Sequence, residues 1–129
     1  MPIKPEDFLT TAESLCKDTP SEVEIRCAIS RSYYSMYHKA LATIDNDPIC
    51  YVDKGCHAGL IEYLKTHAKK EESIDSFQLR RMSIMLNAEK KKRVSADYFL
   101  NDELTLLHAS ESVNSAQKFK DLCDSLKQS

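Results

Sequence analysis

Arg31, Tyr34, Ser35 and His38 recur at i, i+3, i+4 and i+7 in a stretch with no Gly or Pro. On a helix, seven residues turn through about 700°, so Arg31 and His38 point within about 20° of each other and lie about 10 Å apart. The two hydroxyls fill the gap between them. Arg offers a planar fork suited to two phosphate oxygens. His is the side chain whose ordinary pKa lets it take up and return a proton near neutrality. An Arg, a His and hydroxyls on one stripe therefore suit phosphate-ester chemistry. The same pattern also fits a surface Arg beside a hydrogen-bonded His under a neighbouring helix.

Other candidates stand outside this stripe. His57 opens a helical stretch, either as a structural ring bonded to backbone or as a member of the site. His67 and His108 read as ordinary surface residues. Tyr33, Tyr34 and Tyr37 bring three phenols within five residues. Their main use is packing, and a flat ring also offers a face to a nucleobase. Residues 80–93 hold Arg80, Arg81, Lys90, Lys91, Lys92 and Arg93 against Glu89 alone. That run reads as cations gathered at a helix C-terminus or as a phosphate-contacting rim formed by Lys90, Lys91, Lys92 and Arg93.

The elements that carry these groups are helices. The chain has 129 residues, 42% hydrophobic and 29% charged, with only 2 Gly and 4 Pro. That length fits one domain, taken as residues 1–129. Few chain breakers disfavour a turn-rich β fold. The formal charge of −2 excludes a strongly basic coat but not a basic patch. No apolar run approaches the ~18 residues of a membrane span. The N-terminus lacks the apolar stretch of a signal peptide. Five cysteines, an odd number without a Cys-x-x-Cys pair, argue against a disulfide framework and for a reducing, cytoplasmic setting. Cys50, Cys56 and His57 match no common zinc spacing, so no metal or other cofactor is expected.

Apolar spacing predicts a first helix over residues 5–16 and a second over about residues 21–44. A Ser21–Glu24 capping box opens the second, which would run ~36 Å. A mildly apolar connector containing Ile49, Cys50, Tyr51 and Val52 follows. A third helix is expected over residues 57–69, a fourth over residues 76–92, a connector over residues 94–100, and a last helix to about residue 126 capped by Asn101. The expected fold is an all-α, up-and-down bundle of about five helices, two of them long. Met36, Met82 and Met85 read as core filler.

Three segments carry a family resemblance. The run Ala28-Ile29-Ser30-Arg31-Ser32-Tyr33-Tyr34-Ser35-Met36-Tyr37-His38 resembles the long-helix segment of HEPN domains (higher eukaryotes and prokaryotes nucleotide-binding). Gly55-Cys56-His57-Ala58-Gly59 is similar to the opening of the next helix in that family. Arg93-Val94-Ser95-Ala96-Asp97-Tyr98 looks like the family's Arg-x-x-Ala-Asp-Tyr signature. The resemblance covers about residues 5–127. It implies an all-α bundle, commonly a cytoplasmic homodimer, and two kinds of function.

Many members are metal-independent ribonucleases of toxin–antitoxin, phage-defence or RNA-processing systems, marked by an Arg followed after several residues by His. Arg31 and His38 fit the long end of that spacing and would be the catalytic pair, with Tyr34, Ser35, His57 and Asp97 in support. Other members bind rather than cut, beside a nucleotidyltransferase or another protein. One departure bears on this choice. In many ribonuclease members the motif falls near residues 93–98, where this chain has Asp97 and no His.

Overall fold

The structure is a computed structural model that describes residues 3–48, 51 and 53–127. Six helices occur among the described residues: α1 (Pro5–Leu15), α2 (Glu22–Thr43), α3 (Cys56–Lys65), α4 (Ala68–Glu71), α5 (Ser76–Tyr98) and α6 (Leu106–Lys127). No strand occurs among the described residues. None of these helices is long and apolar enough to cross a membrane.

Local signals explain where several elements begin. Pro5 takes the first turn of α1, where its missing N–H costs nothing. The Ser21 capping box forms as expected: the Glu24 N–H donates to Ser21 Oγ at 3.2 Å, and the Ser21 N–H donates to Glu24 Oε1 at 2.8 Å. Between α1 and α2, Asp18 adopts a left-handed backbone with φ 61°, a conformation that a short polar side chain tolerates. Asp75 caps α5 by accepting the Phe77 N–H.

The helix α2 lies at the centre and packs on α1, α5 and α6, while α3 leans on α5. Its inward residues Tyr33, Met36 and Ala40 join Leu9 of α1, Leu60 and Leu64 of α3, Leu79, Met82 and Leu86 of α5, and Phe119 of α6 in the main core. A smaller cluster near the α2 N-terminus unites Ala12, Ile25, Ala28, Ile29, Ala96 and Ala109. Small alanines there, one from each of α1, α2, α5 and α6, let four helices approach closely. Met36 and Met82 are buried core residues, and Met85 is half-buried against them.

Three boundaries differ from the expectation. Residues 57–69 do not form one helix: α3 stops at Lys65, and a single turn, α4, follows. The helix α5 runs six residues past Lys92, through the expected connector, to Tyr98. The last helix begins at Leu106, not at Asn101. Three helices, rather than two, exceed twenty residues.

The last two differences share a cause. Arg26 of α2, 8% exposed, aims its guanidinium at the C-terminal end of α5. It donates to the carbonyls of Ser95, Ala96, Phe99, Leu100 and Asp102, the Ala96 bond at 2.9 Å. This side chain satisfies carbonyls that a helix end leaves without partners. It also holds residues 99–102 turned toward itself and out of helical form. Thr105 then opens α6, its N–H donating to His108 Nδ1 at 2.9 Å.

A second knot fixes the far end. Glu72 accepts from the backbone N–H groups of Asp45 and Asn46 and from the Tyr63 hydroxyl, the last at 2.7 Å. Burial raises the Glu72 pKa, but these donors overcome it and hold the carboxyl below its usual range. The Ile49, Cys50 and Val52 part of the expected connector lies outside the described residues.

Candidate functional site

The expected stripe on α2 is a shared face, but its members lie in different surroundings. Arg31 is exposed, and among the described residues no hydrogen bond or ion pair holds its head. Ser35 is 3% exposed and turned into the bundle. His38 is half-buried. Its ring stacks on Phe8 of α1 at 5.3 Å between centroids and 12° between planes. It also borders an open cavity with Lys4 and Phe8 on its walls.

A different constellation forms where α2, α3 and α5 meet. His57, on the first turn of α3, packs against Tyr37 at 4.3 Å and Tyr34 at 5.8 Å between centroids. His38 packs against the same two rings, at 5.1 and 6.5 Å. Two imidazoles thus flank one pair of phenols. From α5, the Arg93 guanidinium lies over Tyr33 at 5.6 Å and over Tyr34 at 5.8 Å, within range of a cation–π contact.

Each member is oriented by a neighbour. The Tyr33 hydroxyl and His57 Nδ1 are hydrogen-bonded at 2.9 Å. With Nδ1 engaged, Nε2 is the ring nitrogen left for a ligand. Burial pushes the Tyr33 phenol well above its ordinary pKa, so it stays protonated. Burial, with Cys56 beside it, pushes Tyr37 up to about 12. Burial lowers the His57 pKa, and the positive charges of Arg93, Lys90 and His38 lower it further. His57 is therefore an imidazole held neutral, able to accept a proton at neutral pH.

Arg93 is only partly engaged. Its guanidinium meets Asp97 Oδ2 at 3.4 Å, and Asp97 also accepts from Ser30 Oγ at 3.3 Å. Arg93 Nε is buried without any acceptor, although buried N–H groups are nearly always bonded.

The basic run divides. Successive residues on a helix diverge by about 100°, so Lys90 to Arg93 cannot form one row. Lys90 lines a groove with Ala58, the neighbour of His57, and its charge lowers the proton affinity of His57. Lys92 leans on the buried Glu89 at 3.9 Å. Lys91 is exposed and borders a shallow cavity with Lys90, Val94 and Phe99, away from the rings. Of the expected site residues, the structure brings together His38, Tyr34, His57 and Arg93, with Lys90 and Asp97 at the edge. Arg31, Ser35, Lys91 and Lys92 stand apart.

Tyr33 and Tyr37 hold the two imidazoles in place, a part that their i, i+4 spacing did not announce. The cluster can bind an oxyanion through Arg93 and exchange protons through two imidazoles. His67 meets the Tyr51 hydroxyl at 2.6 Å and is far from this group in the contacts it makes. Comparisons with protein-family models, curated proteins and solved structures find no match to this chain.

Proposed function

We propose that the chain is a HEPN-type helical protein directed at RNA, acting as a metal-independent endoribonuclease of a toxin–antitoxin or phage-defence system. One observation carries this reading: two half-buried imidazoles, His38 and His57, flank Tyr34 and Tyr37, and the Arg93 guanidinium lies over Tyr34.

In the reaction, the ribose 2′-oxygen attacks the adjacent phosphorus and gives its proton to the neutral His57. The bond from phosphorus to the 5′-oxygen breaks, and that oxygen leaves with a proton donated by His38. The products are a 2′,3′-cyclic phosphate and a free 5′-hydroxyl. Arg93 balances the charge that grows on the phosphorane oxygens. Arg31, exposed on α2 with His38, would serve across a two-fold homodimer, in which a second copy adds its own stripe. No step requires a metal.

A second reading has its own observation. Tyr98, Phe99, Leu100 and Leu107 are each more than half exposed, an apolar row of the kind that marks a protein contact. It favours a binding module that acts with a nucleotidyltransferase or an antitoxin partner.

The test is purified protein with unstructured RNA in EDTA. The ribonuclease reading expects cleavage leaving cyclic phosphate ends, and a loss of about 10²–10⁴-fold in His38→Ala. Intact RNA, or a His38→Ala variant as fast as the parent, hands the site to the binding-module reading.

A further inference from the structure

A groove of about 420 Å³ opens between α3 and α5, beside the histidine cluster. Its walls carry Lys54, Lys65, Arg80 and Lys90 against a single carboxylate, Glu62. Among the described residues, none of these four cations has a hydrogen bond or ion pair through its charged head. The contrast is with Lys39, which bridges Glu6 and Asp124, both at 2.7 Å. Unpaired surface lysines occur elsewhere as well. What distinguishes these four is that they share one concave wall.

The order of the residues gives the groove a direction. The Ser83 hydroxyl donates to the Ile61 carbonyl, and His57 feels the charges of Lys90 and Arg93. The two helices therefore run antiparallel along the groove. Lys90 lies at the end nearest His57, and Lys65 and Arg80 lie toward the other. Arg80 and Lys90 are ten residues apart on one helix, a rise of about 15 Å. That span is too long for one phosphate and suits a row of them.

We propose that this groove is a phosphate track that holds the backbone of single-stranded RNA and leads it, past Lys90, to His57 and Arg93. The inference rests on the RNA reading above. The track makes no demand on base identity, because its groups meet phosphates rather than base edges. It predicts tight but sequence-tolerant binding with strong salt dependence.

The test uses fluorescence anisotropy with a labelled 2′-O-methyl RNA strand, which binds but cannot be cut. The full chain is compared with the double variant Lys65→Glu/Arg80→Glu and with a control, Lys118→Glu/Lys127→Glu, on α6. All the altered side chains are exposed, and a milder Lys65→Gln/Arg80→Gln pair covers the case in which the reversal disturbs folding. The track predicts affinity reduced tenfold or more by the groove variants, with the salt slope flattened by about 0.7 per lost contact. The control should bind like the parent.

Unchanged affinity and slope in both groove pairs would overturn the track. So would a loss of inorganic polyphosphate binding with RNA affinity intact. Cleavage assays on the same protein variants with an RNA strand that keeps its 2′-hydroxyls separate the two claims. Binding lost in the groove variants of a protein that cuts nothing removes the ribonuclease reading and keeps the track. Cleavage with groove variants that bind normally does the reverse.

Discussion

Arg26 of α2 and Arg93 of α5 both make contacts near the C-terminal end of α5, and they are used in opposite ways. Arg26 spends its guanidinium on five backbone carbonyls and has Glu22 at 3.5 Å besides. Arg93 makes one long contact with Asp97, lies on two tyrosine faces and leaves Nε without an acceptor. A buried arginine whose donors are filled by its own chain is an anchor. One held flat on aromatic rings with a donor unfilled is ready for an anion. The first pins the end of a helix, and the second points into the group of rings where His38 and His57 sit.

The comparison is easiest to break at Arg26. Arg26→Ala strips partners from buried carbonyls at the end of α5 and should cost about 3 kcal/mol of stability, read from urea unfolding. Arg26→Lys should recover little of it, since one ammonium cannot span the fork's contacts. A parental midpoint in both variants would show that Arg26 is not an anchor.

Arg93→Gln should do the reverse. Its unfolding midpoint should stay near that of the parent, while RNA cleavage should drop by about 10²-fold, the loss expected when one charged donor leaves a transition state. A variant that unfolds early yet cuts normally would exchange the roles of the two arginines.

A smaller effect concerns pH. The folded-state pKa of His57 is depressed below its ordinary 6.5, so the unfolded chain binds a proton more readily than the native one. Its contribution to stability is present above the ordinary imidazole range and is lost as pH falls from about 6.5 toward the depressed value. Melting temperature should decline over that interval, and His57→Gln should flatten the decline. An equal slope in the variant would remove His57 as its source.

The smallest expected change is at Glu89. Burial holds its carboxyl above the usual range, only partly offset by Ser112 and Lys92, and Oε2 has no partner. The sign is opposite to that of His57. Stability is lost as pH rises from about 4.5 through the raised value. Glu89→Gln should therefore raise the neutral-pH melting temperature by a few degrees. A lower melting temperature would mean that the charge is needed where it stands.

Signals confined to neighbouring residues were legible in the sequence. The Ser21–Glu24 box, the long uninterrupted α2 and the inward face with Met36 and Met82 all follow from local spacing. The end of α5 was not legible, because its cap comes from Arg26, some seventy positions away in sequence. The stretch beyond Lys92 has neither Gly nor Pro, and that was the available hint.

The stripe on α2 was legible as a face, but spacing on one helix cannot say what lies over it. Phe8 of α1 covers one side of His38, and solvent takes Arg31. The pairing of His38 with His57 and Arg93 requires α3 and α5 to arrive from either side. Their residues were visible as separate candidates, an opening His and the end of a basic run. Only packing joined them.

The claim that His38, His57 and Arg93 form one phosphate-binding site can be tested by proton NMR titration of the four histidines, with and without a 2′-O-methyl RNA strand. The account predicts that the strand shifts the ring signals of His38 and His57 and raises the His57 pKa, as an anion beside an imidazole must. His67 and His108 should be unmoved, and Arg93→Gln should raise the His57 pKa of the free protein and weaken its response to RNA. Shifts confined to His67 or His108, or a His57 pKa indifferent to both RNA and Arg93, would contradict it.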